Sequence, residues 1–411
     1  MLTALLLALA TGAAAVPTTA GPVHIELRHH VDHSPGLVSR EDSSLRLSAA
    51  SDLYSIPFII GTPPQNVAVI VSTGVSDLWL RTGASFQSSK SSSFVSHGAN
   101  GTTPAETATF VTVVGTATGT NSTDRVTVAG VTTSQSFGLV EGPFPGVKDT
   151  SIAGVMGFGA APQLGTPLWS DLAASWAVRE FGLYLSGLGS GMTLGGTDTS
   201  KYSGSLTYVP VVNVSRLAWG WNGATWIVPL QEFSIAGRST NLMDHIAMID
   251  PGVSVIYGEP GAVAAFYDQI KGSQQGANGT YTVPCDDIQA EFKIGGVSFP
   301  ISSSDLVKGK SGQCTGAVVA RDTSDMLGGR SWVLGTPFIK SVYTSFKSND
   351  DGSAQSVGLA SLNSAVNVAS VAGAAATPGA TAGTNNAKVS GGLHLVPAAL
   401  VWGLGLLLAM L

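Results

Sequence analysis

Two short strings that nearly repeat carry the chemistry of this 411-residue chain. One reads Val71-Ser72-Thr73-Gly74-Val75-Ser76, the other Ile249-Asp250-Pro251-Gly252-Val253-Ser254. Each follows an apolar run and turns at a glycine, so each reads as a strand entering a tight loop. Asp250 is the only acid or base in either string, a carboxyl able to take a proton from water or give one to a carbonyl. Ser72 stands at the matching place and offers a hydroxyl instead. A serine nucleophile needs a base within hydrogen-bond reach and an oxyanion site. His245 lies on the approach to Asp250, and nothing in the sequence brings its ring to Ser72, so a Ser-His-Asp triad is set aside. No metal and no cofactor are expected. The two cysteines form no C-x-x-C, and the three clustered histidines, His29, His30 and His33, carry no ligand motif beyond their number.

The elements that must position these loops read as short strands. From Leu53 onward, apolar β-branched runs alternate with Gly, Ser, Asn and Pro: Ile56–Ile60, Val67–Val71, Phe110–Val114, Val126–Val128, Leu206–Val209, Phe233–Ile235 and Tyr343–Phe346. Only 168–179 and 260–271 look helical. The length suffices for two lobes with substantial cores. Charged residues make up 11% of the chain, the formal net charge is -6, and no Lys/Arg cluster exists to neutralise phosphates. Nucleic acid is therefore excluded as a partner. The low charge with high Gly, Ser and Thr content suits a β-rich secreted protein.

Further strings accompany the two loops in order. They include Tyr54 through Gly61-Thr-Pro-Pro-Gln65, Asp77-Leu78-Trp79, Gly154-Val-Met-Gly-Phe-Gly159, Phe181–Leu185 and Leu194-Gly-Gly196. Tyr202-x-Gly-x-Leu-x-Tyr-x-Pro210, Trp226–Leu230 and Trp332-Val-Leu-Gly-x-Pro-Phe338 follow. Together they make residues 51–361 resemble the pepsin-like aspartic proteases. The resemblance implies an all-β, bilobal fold, with two β-barrel-like lobes, 51–200 and 201–362, flanking a cleft that takes an extended peptide or glycoprotein. It also implies a water held between two carboxylates that share a proton, because like charges a few Å apart cannot both ionise.

In that family both loops read Asp-Thr-Gly, and here the first has Ser72. Asp250 is the retained dyad member, and Ser72 cannot ionise in the acid range. The family's second threonine is Pro251, which lacks both a hydroxyl and an amide hydrogen. Only Thr73 keeps its part in the threonine bonds that rigidify the dyad. Val75 stands where a hydroxyl normally bonds the dyad, and Val114 stands where the flap tyrosine closes over substrate. Ala117 replaces a flap-tip glycine next to Gly115. Gly74 and Gly252 let the turns approach one another, and Val253 completes the second loop. Asp77 is expected to be structural, Trp79 a wall between cleft and core, and Tyr257 a packing residue. Thr336 and Lys347 occupy positions commonly held by aspartate. These departures point to an impaired or inactive cleft protein. An active acid endopeptidase using Asp250 with an unconventional partner, and a purely structural cell-wall protein, are the competing readings.

Both termini read as targeting segments. Residues 1–15 form a signal peptide with an apolar core and a small-residue cleavage site. Residues 16–50 form a short arm that resembles the family's propeptide, a cleft-covering segment removed by acid. Residues 363–390 form an Ala/Gly/Thr-rich stalk, and 391–411 a hydrophobic tail in the layout of a glycosylphosphatidylinositol signal. One C-terminal transmembrane helix fits the tail's length as well, though no basic flank follows it. A monomer anchored to the outer leaflet of the plasma membrane or the cell wall is expected. Four sequons begin at Asn100, Asn121, Asn213 and Asn278. In the oxidising secretory route Cys285 and Cys314 are expected to pair.

Overall fold

The computed structural model describes residues 22–30, 52–83, 86–97, 106–112, 115–142, 144–147, 149–159, 164–174, 176–185, 189–212, 226–285, 287–309, 312–327, 330–349 and 355–363. The signal peptide, most of the stalk and the hydrophobic tail lie outside these residues. So do Asn100, Val114 and Asn213.

The same three-strand unit is built twice. In the first half, Gln65–Ser72 runs parallel to Ile152–Gly157, which is antiparallel to Leu78–Arg81. In the second, Arg238–Ile249 runs parallel to Arg330–Leu334, which is antiparallel to Ile256–Gly258. Parallel strands are covered on both faces, which is why Val67–Val71, Ile152–Met156 and Trp332–Leu334 read as near-continuous apolar runs without alternation. Each unit delivers one glycine loop to the middle of the molecule.

The first unit lies in a nine-stranded sheet and the second in a seven-stranded sheet. Barrel-like lobes were expected, and the sheets are open instead. The second ends in unpaired edges at Val297–Ile301 and Val318–Ala320. In the first, Leu53–Ile60 touches Gly115–Val128 at only two residue pairs, Ile59 with Thr127 and Ile60 with Val126, too short a ladder to close a barrel. A four-stranded sheet in the second half carries the disulfide Cys285–Cys314, with Cα atoms 5.2 Å apart.

A six-stranded sheet that sequence reasoning did not foresee joins the halves. Its order is Val23–Glu26, Gly191–Leu194, Glu180–Tyr184, Val342–Ser348, Gln355–Ser361 and Thr207–Pro210, so it draws on the arm and on both lobes. Beside it one aromatic core spans the lobes: Phe181 stacks on Phe346 at 4.8 Å and meets Trp226 edge-on at 5.9 Å. The Trp226 indole N–H donates to the Phe158 carbonyl at 2.8 Å, a bond from one half to the other. The two expected helices are present but shorter, Leu168–Ala173 and Pro260–Tyr267. Glu259 ends the N-terminal side of the second by accepting from the Gly261 and Ala262 amides.

Candidate functional site

The two loops meet at the centre. Ser72 and Asp250 are each 4% exposed, and the Ser72 Oγ donates to Asp250 Oδ2 at 3.2 Å. The Thr73 amide donates to Asp250 Oδ1 at 3.0 Å, and the Gly252 amide donates to the same oxygen at 2.8 Å. Gly74 adds a backbone donor. Glycine is required on both sides of this contact. A Cβ at Gly74 would run into the Asp250 carboxylate, and one at Gly252 would sit 2.7 Å from the Ser72 Cβ. Burial pushes the Asp250 carboxyl above its ordinary range, and the donors from Gly252, Ser72, Thr73 and Gly74 only partly offset it. The centre thus holds one carboxyl whose ionisation burial opposes and one neutral hydroxyl.

Each loop is tied to the strand behind it. The Ser72 carbonyl accepts from the Phe158 amide at 2.8 Å, and the Asp250 amide donates to the Leu334 carbonyl at 3.1 Å. Val253 receives the Thr336 amide on its carbonyl at 2.8 Å. The Thr73 hydroxyl crosses the centre to the Ile249 carbonyl. No matching bond returns from Pro251, because proline has no hydroxyl and no N–H. Val75 and Val253 are buried in two separate apolar clusters, one on each side of the centre.

The flap arm Thr107–Thr112 alternates between these clusters. Phe110 packs with Trp79, ring centroids 5.1 Å apart, in the cluster that holds Val75. Val111, pointing the other way, packs against the cluster of the opposite lobe that holds Val253 and Met248. Sequence reasoning gave Val111 no role. The signal was available in the string Thr107-Ala-Thr-Phe-Val-Thr112, where the adjacent apolar pair Phe110 and Val111 breaks the alternation and gives each face of the strand an apolar side chain. Gly115 opens the returning strand beside Pro145, and Ala117 packs on the cluster that holds Val75.

Other candidates have structural partners. Asp77 Oδ1 accepts from the Leu164 amide at 2.9 Å. Tyr257 is buried, with the Arg321 guanidinium over its ring at 5.4 Å. Thr336 is fully buried, and Lys347 lies over the Tyr208 ring at 5.3 Å, away from the centre. His245 Nδ1 accepts from the Trp332 indole at 3.0 Å. It lies within the strand Arg238–Ile249, five residues before Asp250 and so about 16 Å away along an extended chain. It is a buried packing histidine, not a base for Ser72. Asn278 is exposed at a turn tip, whereas Asn121 is half-buried in a strand with its amide nitrogen 3.2 Å from Glu106 Oε2. Among the described residues no group of acids, histidines and cysteines could hold a metal ion.

Paired loops of this kind, crossed by one threonine and roofed by a hairpin, are matched by a family model. The model, described as eukaryotic aspartyl protease, covers residues 53–362. The chain belongs to the eukaryotic aspartyl protease family. Within that family it is 32% identical over 370 residues to Major aspartyl peptidase 1 of Cryptococcus neoformans var. grubii, a match spanning 78% of this chain and 71% of the relative. It is 30% identical to pepsin A of Sus scrofa, over 73% of this chain and 79% of that one. It is also 30% identical to an aspartic protease of Phaffia rhodozyma, over 74% and 75%. Membership does not by itself supply Ser72 with an acidic proton.

Proposed function

We propose that this chain is an aspartic-protease-fold binding protein that holds an extended peptide or glycoprotein segment in its cleft and hydrolyses it poorly or not at all. The observation that carries this reading is the Asp250 carboxylate facing a serine hydroxyl at 3.2 Å. Hydrolysis of an amide asks one group to take a proton from water while another donates to the carbonyl. A single carboxyl cannot occupy both states at once, and the Ser72 hydroxyl neither ionises in acid nor splits the pKa of its neighbour. Losing a positioned acid or base costs about 10²–10⁴ in rate. Pro251 and Val75 favour the same reading, since each removes a polar group from the loops around the centre.

Binding survives this loss. The apolar clusters on either side of the loops and the strand Thr107–Thr112 offer side-chain contacts and backbone hydrogen bonds to an extended chain. In this proposal the protein works at the cell surface, held by a lipid attached through the C-terminal signal of residues 391–411, with glycans on the accessible sequons. The peptidase names of its relatives argue for turnover, and a direct assay decides. Purified protein incubated at pH 3–5 with a denatured protein substrate should leave it intact, while a peptide inhibitor carrying a hydroxyl in place of the scissile amide should bind measurably by calorimetry. Cleavage that disappears in Asp250→Ala would overturn the proposal in favour of an active endopeptidase. No cleavage and no inhibitor heat would leave the structural role.

A further inference from the structure

The N-terminal arm ties three parts of the molecule together at one carboxylate. Val23–Glu26 pairs with Gly191–Leu194 as the outermost strand of the joining sheet, and Arg28–His30 pairs with Leu53–Ser55 of the first lobe. Between them Leu27 is buried, and its amide donates to the Ser190 carbonyl at 2.8 Å. The His29 ring stacks on Tyr54 at 4.6 Å, and its Nε2 meets Asp52 Oδ1. The other Asp52 oxygen receives Lys340 at 3.1 Å and Lys308 at 3.4 Å, both from the second half. Lys340 continues to Asp305 at 2.6 Å. Beneath the histidine, the Tyr54 hydroxyl donates to the Leu185 carbonyl. Asp52 is thus the only anion directly shared by arm, first lobe and second lobe in this group.

We infer that residues 22–30 are a permanently docked strap, locked at Asp52 by His29, Lys340 and Lys308, that stays bound in acid rather than being released by it. A strand held by ordinary ion pairs is freed when its carboxylates take up protons. Asp52 resists this. Burial alone would raise its carboxyl, but the hydrogen bond from His29 and the charges of Lys340, Lys308 and His29 outweigh burial and hold it well below the usual carboxylate range. Of the groups facing Asp52, only Asp305 is a like charge, and it is drawn to Lys340. A second anchor is more exposed: His30 reaches Asp149 at 3.1 Å and the Ser55 hydroxyl at 2.7 Å. The Asp149 carboxyl is also held below its usual range, first by the Ser151 hydroxyl and amide and then, against burial, by His30.

The test cuts the full chain at a site-specific protease sequence inserted between Ser43 and Ser44, then passes it over a sizing column at pH 7 and at pH 4. Mass spectrometry of the protein peak reads whether the arm fragment remains. Co-elution at both pH values is the expected result, and separation at pH 4 would overturn the inference. Asp52→Asn should lose most of the arm at pH 4, a drop in the retained fraction of about tenfold. His29→Gln, on the exposed side of the contact, gives the same reading should Asp52→Asn fold poorly. Arm retention unchanged in His29→Gln would show that Asp52 is not the lock. The readout is retention of a fragment, so it is independent of whether the cleft cleaves peptides.

Discussion

The two central loops share a backbone design and differ in what their side chains can give. Each follows a parallel strand pair, each turns at a glycine, and each is bonded to the strand behind it. The traffic of hydrogen bonds between them nevertheless runs one way. The first loop sends the Ser72 hydroxyl, the Thr73 amide and a Gly74 donor to Asp250, and the Thr73 hydroxyl to the Ile249 carbonyl. Pro251 can return no donor. The two loops match in backbone geometry and differ in side-chain chemistry, the asymmetry on which the proposed binding role rests. The comparison teaches that strand pairing and glycine turns place the loops, whereas the identity of two or three side chains decides whether a proton can be passed across.

The largest effect should come from restoring symmetry. Ser72→Asp places a second carboxyl about where the hydroxyl now lies, within reach of Asp250. Acid hydrolysis of a fluorogenic peptide at pH 3–5 should rise by about 10²-fold over the unaltered chain, and Asp250→Ala in that background should abolish the gain. No gain would mean that Pro251 and Val75, not the missing carboxyl, are the obstacle. Next comes the closeness of the loops themselves. Gly74→Ala forces a methyl into the Asp250 carboxylate, and Gly252→Ala sets one 2.7 Å from the Ser72 Cβ. Each should cost about 1–3 kcal/mol of stability, read as a lowered denaturation midpoint. The Gly74 change should be the worse of the two, because it meets a buried charge-bearing group.

How much of this was legible beforehand follows from range. The two loops, their strands, the disulfide cysteines and the families of apolar runs are local patterns, and period and turn chemistry expose them. Open sheet edges and the joining six-stranded sheet depend on pairings such as Glu180 with Lys347 and Thr207 with Leu359. Nothing local marks those partners. The Asp52–Lys340 contact likewise joins residues 288 positions apart in the chain, and His29, which meets the same carboxylate, read only as one of a cluster. Val111 was given no role for a different reason: its apolar side chain beside Phe110 was visible, but which lobe would receive that face of the strand was not. Asp250 and Ser72 were found because they sit in a motif. Their mutual hydrogen bond needed coordinates.

A smaller effect should separate the crossing threonine from its silent counterpart. Thr73→Val removes the hydroxyl that crosses to the Ile249 carbonyl and leaves that buried acceptor short of a donor, at a cost of about 1–3 kcal/mol. Pro251→Thr offers a new hydroxyl and amide, but it also frees the unfolded chain, so its net change should stay within about 1 kcal/mol. Equal losses in both would break the asymmetry argued here. Chemical denaturation of the two variants beside the parent reads the difference.

The subtlest prediction concerns protons. The Asp250 carboxyl is raised by burial in the folded protein, so between its unfolded value near 3.9 and its higher folded value the native state binds more protons than the unfolded one. Stability from this group is therefore full below about pH 4 and declines as pH rises through the folded value. Asp52 acts in the opposite sense: its lowered carboxyl contributes stability that is present above its unfolded value and lost only as pH falls toward its folded one. The two can be told apart because Asp250→Asn removes one and leaves the other. An asparagine oxygen can still accept from the Thr73 and Gly252 amides, but its nitrogen, standing in place of Oδ2, cannot accept from the Ser72 hydroxyl, which adds a constant offset with no pH dependence. The slope, not the intercept, is then the readout. Denaturation midpoints measured from pH 4 to pH 7 should fall for the parent relative to Asp250→Asn. Parallel curves would mean that the carboxyl ionises as readily inside the protein as outside it, and that the donors from the first loop offset burial completely.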